Sequence, residues 1–111
     1  MTAAHHKLDH VCAIIDCNKV QENGPTHEIK NLEPLGEKWA AFGWHVIEID
    51  GNNIEALKMA FDEFSNMKGK PTVIIANTIK GKGVSFMEGK SAWHGKAPNK
   101  EQLAQALAEL K

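Results

Sequence analysis

Thr72 to Ile79, TVIIANTI, is the stretch that most limits what this chain can fold into. Its centre is apolar at consecutive positions, so an extended strand there has to be covered on both faces. Such a strand sits inside a sheet with helices above and below. The preceding residues supply the parts. Trp44 to Ile49, WHVIEI, alternates apolar and polar residues like a strand with unequal faces, and Asp50-Gly51-Asn52 turns out of it. From Asn53 to Met67, Ile54, Leu57, Ala60, Phe61 and Phe64 form one helical stripe, with Glu55, Lys58, Asp62 and Glu63 opposite. Gly69-Lys70-Pro71 breaks that helix. Strand, helix, strand is the pattern of a right-handed parallel crossover, so the fold class is α/β with a parallel, Rossmann-like three-layer arrangement.

A further strand runs from Val11 to Ile15 and stops at Asp16-Cys17-Asn18, followed by a loop through Gly24-Pro25. Asn18 is therefore a strand-end residue. In open parallel sheets, ligands bind beyond the carboxyl ends of the strands. The Asn18 side-chain carbonyl and the Val20 main-chain carbonyl have the chemistry of half a magnesium or calcium site. Completing it takes a carboxylate and a phosphate-bearing ligand. The same residues also describe an ordinary turn, in which Asn is a common choice.

Elsewhere the signals are simpler. Met1 to His10 reads as the end of a helix, and His6 and His10 are spaced to share a helix face, with no third metal ligand at an evident spacing. Thr26 to Asn31 reads as polar and irregular. Asn31 to Pro34 opens a short helix with Pro in its first turn, carrying Leu35, Trp39 and Phe42 and stopped by Gly43. Thr78 to Pro98 is a long segment with four glycines and little periodicity, which marks a functional loop or a linker. Within it, Lys80-Gly81-Lys82-Gly83 lacks the spacing of a nucleotide phosphate loop, yet a cationic turn at a strand end can touch phosphate. His94 offers an imidazole for proton transfer or phosphate contact, or is simply a loop residue. Asn99 caps a last helix, with Glu101 and Gln102 in its first turn and Leu103, Ala106, Leu107 and Leu110 as its buried stripe.

Thirteen basic and fourteen acidic residues are spread along the chain, so there is no electrostatic case for nucleic acid or for an anionic membrane. No apolar run approaches the roughly twenty residues of a membrane span, and a cytoplasmic protein is expected. Cys12 and Cys17 fall on opposite faces of one strand, so they are expected to be reduced and buried.

Many short segments also match a known family in order. They are Leu8-Asp9, Val11 to Pro25 with its D-x-N-K-x-Q and N-G-P-T pieces, Asn31-Leu32-Glu33-Pro34-Leu35, Lys38-Trp39, Phe42-Gly43-Trp44, Gly69-Lys70-Pro71-Thr72, Lys80-Gly81-Lys82-Gly83, Ser85-Phe86-Met87-Glu88 and Trp93 to Pro98. With these, residues 1–111 resemble the later part of the diphosphate-binding domain of transketolase, especially the N-terminal subunit type of split transketolases. The resemblance implies a thiamine diphosphate fold and transfer of a two-carbon ketol unit between sugar phosphates. It implies thiamine diphosphate held through Mg2+ or Ca2+, with Asn18 giving its side-chain oxygen and Val20 its carbonyl to the metal. It also implies that His94 lies by the diphosphate and substrate and assists proton transfers, and that Lys80 lines the cofactor.

Two positions depart from the family pattern. No Gly-Asp-Gly occurs, so the metal's carboxylate is not in this stretch. Position 22, often apolar in the family and set against the thiazolium ring, is Glu22 here, and no role is carried over to it. Three strands leave an unpaired sheet edge and an uncovered apolar face. The expectation is a fragment or one piece of a homo- or hetero-oligomeric transketolase, inactive alone and completed by remaining domains or subunits. The alternative is a truncated, non-catalytic binding or oligomerisation module.

Overall fold

Both edges of the 72–77 strand are hydrogen-bonded to neighbours in the computed structural model, which describes residues 1–111. In chain order the elements are α1 (Thr2–His5), β1 (Cys12–Cys17), β2 (Val20–Gln21), β3 (Gly24–Pro25), α2 (Thr26–Ile29), α3 (Leu35–Ala41), β4 (His45–Asp50), α4 (Ile54–Asn66), β5 (Thr72–Asn77), a 3-10 turn (Ser91–Trp93) and α5 (Lys100–Glu109). They fall into two compact units: residues 1–17 with 32–77, and residues 18–31 with 78–111.

The first unit holds a parallel sheet in the order β1-β5-β4. β5 is central, and residues 71–76 are all buried, as the unbroken apolar run predicts. Ile47, Ala60 and Ile74 form the core cluster, with Cys12 and Ile49 packed against it. α3 and α4 both pack on β4. The Asn53 side chain accepts from the amides of Glu55 and Ala56 and starts α4, satisfying donors that a helix end leaves open. Gly43, at φ +83, ends α3 in a conformation that costs glycine little. Trp39 and Trp44 meet edge to face, ring centroids 4.8 Å apart.

Several expectations are corrected. β1 continues past Ile15 to Cys17, because Asp16 and Cys17 find ladder partners in Ala76 and Asn77 of β5. β5 ends at Asn77 rather than Ile79, since β1 and β4 offer no partners beyond it. Pro34 caps α3 with an extended backbone instead of lying in its first turn, and the Glu33 carboxylate accepts the amide of Leu35. α1 stops at His5, so His6 and His10 share no helix face. Cys12 and Cys17 are free but only half-buried, because β1 is an edge strand. In α4, Ala60 is buried whereas Ile54 and Phe61 are exposed.

The second unit is built on a small hairpin and an ordered loop. β2 and β3 pair antiparallel around Glu22 and Asn23, and α2 follows where an irregular segment is expected, closed by the Lys30 amide on the Thr26 carbonyl. Residues 78–98 are held by their own hydrogen bonds, including Gly89 N to Lys80 O at 2.8 Å and Gly83 N to Glu88 Oε1 at 2.9 Å. α5 begins with a full capping box between Asn99 and Gln102. Its expected buried stripe reduces to Ala106; Leu103, Leu107 and Leu110 are each about half exposed. No helix in the chain is long and apolar enough to cross a membrane.

Candidate functional site

The site grows from the turn that follows β1. The Asn18 side-chain oxygen accepts the Val20 amide at 3.0 Å, a local Asx arrangement that sets the direction of β2. Lys19 between them adopts the left-handed region, at φ +63. Val20 stands opposite Pro25, which has no N–H, while the Thr26 amide donates to the Lys19 carbonyl at 2.9 Å. Val20 and Pro25 are therefore a non-hydrogen-bonded pair, and the Val20 carbonyl points away from β3. The Gln21 side chain donates through Nε2 to the Lys30 carbonyl at 2.9 Å and ties the hairpin to the end of α2.

The second wall comes from residues 78–98. Gly81 lies at φ +70, and a Cβ there would come within 2.8 Å of the Met87 Cβ, so the loop closes tightly beside Lys80. Lys82 approaches Glu88 at 3.9 Å, whereas the Lys80 ammonium meets no carboxylate or carbonyl of the protein. Further on, Trp93 donates its indole N–H to the Phe86 carbonyl at 3.0 Å and stacks obliquely on the Phe86 ring at 5.3 Å. The Lys96 ammonium lies 5.0 Å from the Trp93 ring centre. These contacts hold the 3-10 turn from which His94 projects, with its imidazole free of protein partners.

Asn18, Val20, Gln21, Glu22, Lys80 and His94 line one cavity of about 360 Å³, within the range of small-molecule sites. All six belong to the second unit. The four residues singled out in the sequence, Asn18, Val20, Lys80 and His94, thus share one cavity. Gln21 and Glu22 also line it without having been singled out. No periodic signal points to Glu22, because Lys19 at φ +63 breaks the extended alternation and Glu22 lies in the hairpin turn.

The donor set suits a phosphate-bearing ligand and a hard cation. It offers an amide oxygen, a main-chain carbonyl, one ammonium, one imidazole and one carboxylate, with no thiolate among them. No group of three or more His, Cys, Asp or Glu side chains gathers anywhere in the chain, so a divalent ion here would need ligands from outside it. Neither shifted acidity belongs to a residue that lines the cavity: burial pushes the Cys12 thiol up, and hydrogen bonds from the Ser85 amide, Gln105 and the Ser85 hydroxyl pull the Glu109 carboxyl down.

Comparison with known proteins agrees with this chemistry. Residues 1–110 match the family described as transketolase, thiamine diphosphate binding domain. The chain is 49% identical to a 6-deoxy-6-sulfo-D-fructose transketolase subunit of Clostridium sp. (strain MSTE9), covering 99% of this chain and 40% of that protein. It is 45% identical to an apulose-4-phosphate transketolase subunit of Actinobacillus succinogenes, covering 100% of this chain and 40% of that protein. Among solved structures, transketolase from Campylobacter jejuni superposes with a TM-score of 0.89 at 30% identity, over 98% of this chain and 17% of that one. This chain therefore spans well under half the length of the relatives it matches. It belongs to the transketolase family, in the thiamine diphosphate-binding domain.

Proposed function

We propose that this chain contributes the diphosphate and metal side of a thiamine diphosphate site in a transketolase that moves two-carbon ketol units between sugar phosphates or related sugars. The observation that carries the reading is the shared cavity of Asn18, Val20, Lys80 and His94. Relatives named as transketolase subunits support a second polypeptide as partner and a homo- or hetero-oligomer as the working form. A cytoplasmic location fits that role.

Each residue has a definite task. The Asn18 side-chain oxygen and the Val20 carbonyl ligate Mg2+ or Ca2+; the remaining oxygens come from the diphosphate and from a carboxylate supplied beyond these residues. The Asx turn prepays the ordering of both donors. The Lys80 ammonium offsets diphosphate charge. His94 holds or passes a proton beside the diphosphate and the incoming sugar, since its imidazole is committed to no other group. Thiamine diphosphate, when bound, supplies the carbon chemistry.

Calorimetric titration of thiamine diphosphate with Mg2+ tests the reading. Binding is expected to weaken at least tenfold in Asn18→Ala and to persist in Asn18→Asp, which keeps an oxygen for the Val20 amide and the metal. Equal affinity in Asn18→Ala would overturn the metal assignment. The chain alone is expected to show no ketol transfer, and robust turnover by the purified chain would sink that part.

A further inference from the structure

Two residues other than glycine hold a left-handed backbone, Lys7 at φ +52 and Lys19 at φ +63. That conformation is uncommon for a side chain with a β-carbon, so each instance calls for a cause. Lys7 has one in the end of α1: its amide donates to the Ala4 carbonyl at 3.1 Å and the Leu8 amide to the Ala3 carbonyl at 3.0 Å, the pattern that closes a helix. Lys19 lies just beyond β1, where no helix ends. Two hydrogen bonds fix it there instead. One spans it, from the Val20 amide to the Asn18 side-chain oxygen at 3.0 Å, and the other reaches its own carbonyl from the Thr26 amide at 2.9 Å. The first makes an Asx turn, the side-chain counterpart of a β-turn, with a positive φ at the position where a type II turn selects glycine. Asn18 and Val20 line the cavity, whereas Lys19 between them is exposed and does not.

We infer that Lys19 is a positioning residue for the metal: its left-handed backbone is the joint that turns the chain between Asn18 and Val20, so that the side-chain oxygen of one and the main-chain carbonyl of the other are offered to a single ion. This rests on the cofactor reading above and adds a residue that touches neither metal nor cofactor. Its contribution lies in the backbone and not in the ammonium group. A substitution that resists the left-handed region leaves a smaller fraction of molecules with both oxygens in place, and the apparent affinity for the ion falls by that fraction.

The test ranks variants by their tolerance of positive φ. The Mg2+ concentration that half-saturates thiamine diphosphate binding is measured by calorimetry at fixed cofactor in the wild-type chain, Lys19→Gly, Lys19→Asn, Lys19→Gln, Lys19→Val and Lys19→Thr. Glycine and asparagine enter the region readily, so their variants are expected to stay within about twofold of the wild type. Lys19→Gln, which drops the charge and keeps an unbranched stem, should match it as well. The β-branched Lys19→Val and Lys19→Thr are expected to need about fivefold to tenfold more Mg2+. Excess Mg2+ should then restore full cofactor binding in them, which a blocked or collapsed cavity would not allow. The Lys19 assignment is overturned by wild-type Mg2+ dependence in a folded β-branched variant, by a loss that excess Mg2+ does not recover, or by an equal loss in Lys19→Gly or Lys19→Gln. Failure of both β-branched variants to fold, read by circular dichroism, makes the joint a folding requirement of the hairpin and overturns it too. Each of these leaves the cofactor site standing. Failure of the wild-type chain to bind thiamine diphosphate with Mg2+ overturns the cofactor reading itself, and the Lys19 assignment with it.

Discussion

Gly81 shows how much one side chain can decide. At φ +70, a β-carbon would meet the Met87 Cβ at 2.8 Å and the Met87 main-chain carbonyl carbon at 3.0 Å, and the second obstacle is backbone that cannot swing aside. Gly81→Ala is expected to cost about 1–3 kcal/mol and to displace Lys80, its neighbour in sequence. Chemical denaturation measures the first effect, and weakened diphosphate binding the second; an unchanged midpoint with unchanged binding would contradict both. Residues of this kind are only partly legible in a sequence. Asn18 and Val20 could be placed at a strand end from the apolar run before them. Lys80 and His94 lie in a segment without periodicity, and their candidacy came mainly from family resemblance. Glu22 escaped because it departs from that family pattern, and a departure carries no role with it.

At the scale of elements, the caps were readable and the exposures were not. Asn53 and Asn99 do what the sequence implies, since a cap is a contact among residues close along the chain. The β2–β3 hairpin and α2 were missed because elements of two and four residues are too short to show a period. Leu103, Leu107 and Leu110 share the α5 stripe with Ala106, yet only Ala106 is buried, because a stripe marks a face without naming what covers it. The end of α5 adds a pH-dependent link. Glu109 accepts the Ser85 amide at 2.6 Å and the Ser85 hydroxyl at 2.9 Å, while Gln105 donates to it at 2.7 Å. These donors favour the ionised carboxylate in the folded chain alone, so its folded value lies below its unfolded one. The stabilisation is complete above the unfolded value and is lost as pH falls through the folded one. The Ser85 amide resonance should therefore titrate below the usual glutamate range, and Glu109→Gln should abolish that inflection. Titration at or above the usual range would refute the link.

For the molecule as a whole, the unpaired sheet edges have the most to say about solution behaviour. β1 and β4 both lie at the edge of the sheet, and Ile14 in β1 is 55% exposed. Open strand edges and uncovered apolar faces drive association. The purified chain is expected to self-associate as its concentration rises, and Ile14→Thr to weaken that association with little change in unfolding midpoint. Sedimentation velocity decides: concentration-independent monomers, or equal association in the variant, would argue against this edge as the contact. The arrangement of the aromatic residues turns the same chain into its own reporter. With three tryptophans and no tyrosine, its near-ultraviolet emission is almost wholly indole. Trp39 and Trp44 belong to the first unit, whereas Trp93 adjoins His94 in the second. Fluorescence from a variant with both Trp39 and Trp44 replaced by Phe would isolate the Trp93 signal, so that cofactor arrival could be timed in a stopped-flow instrument without any attached dye.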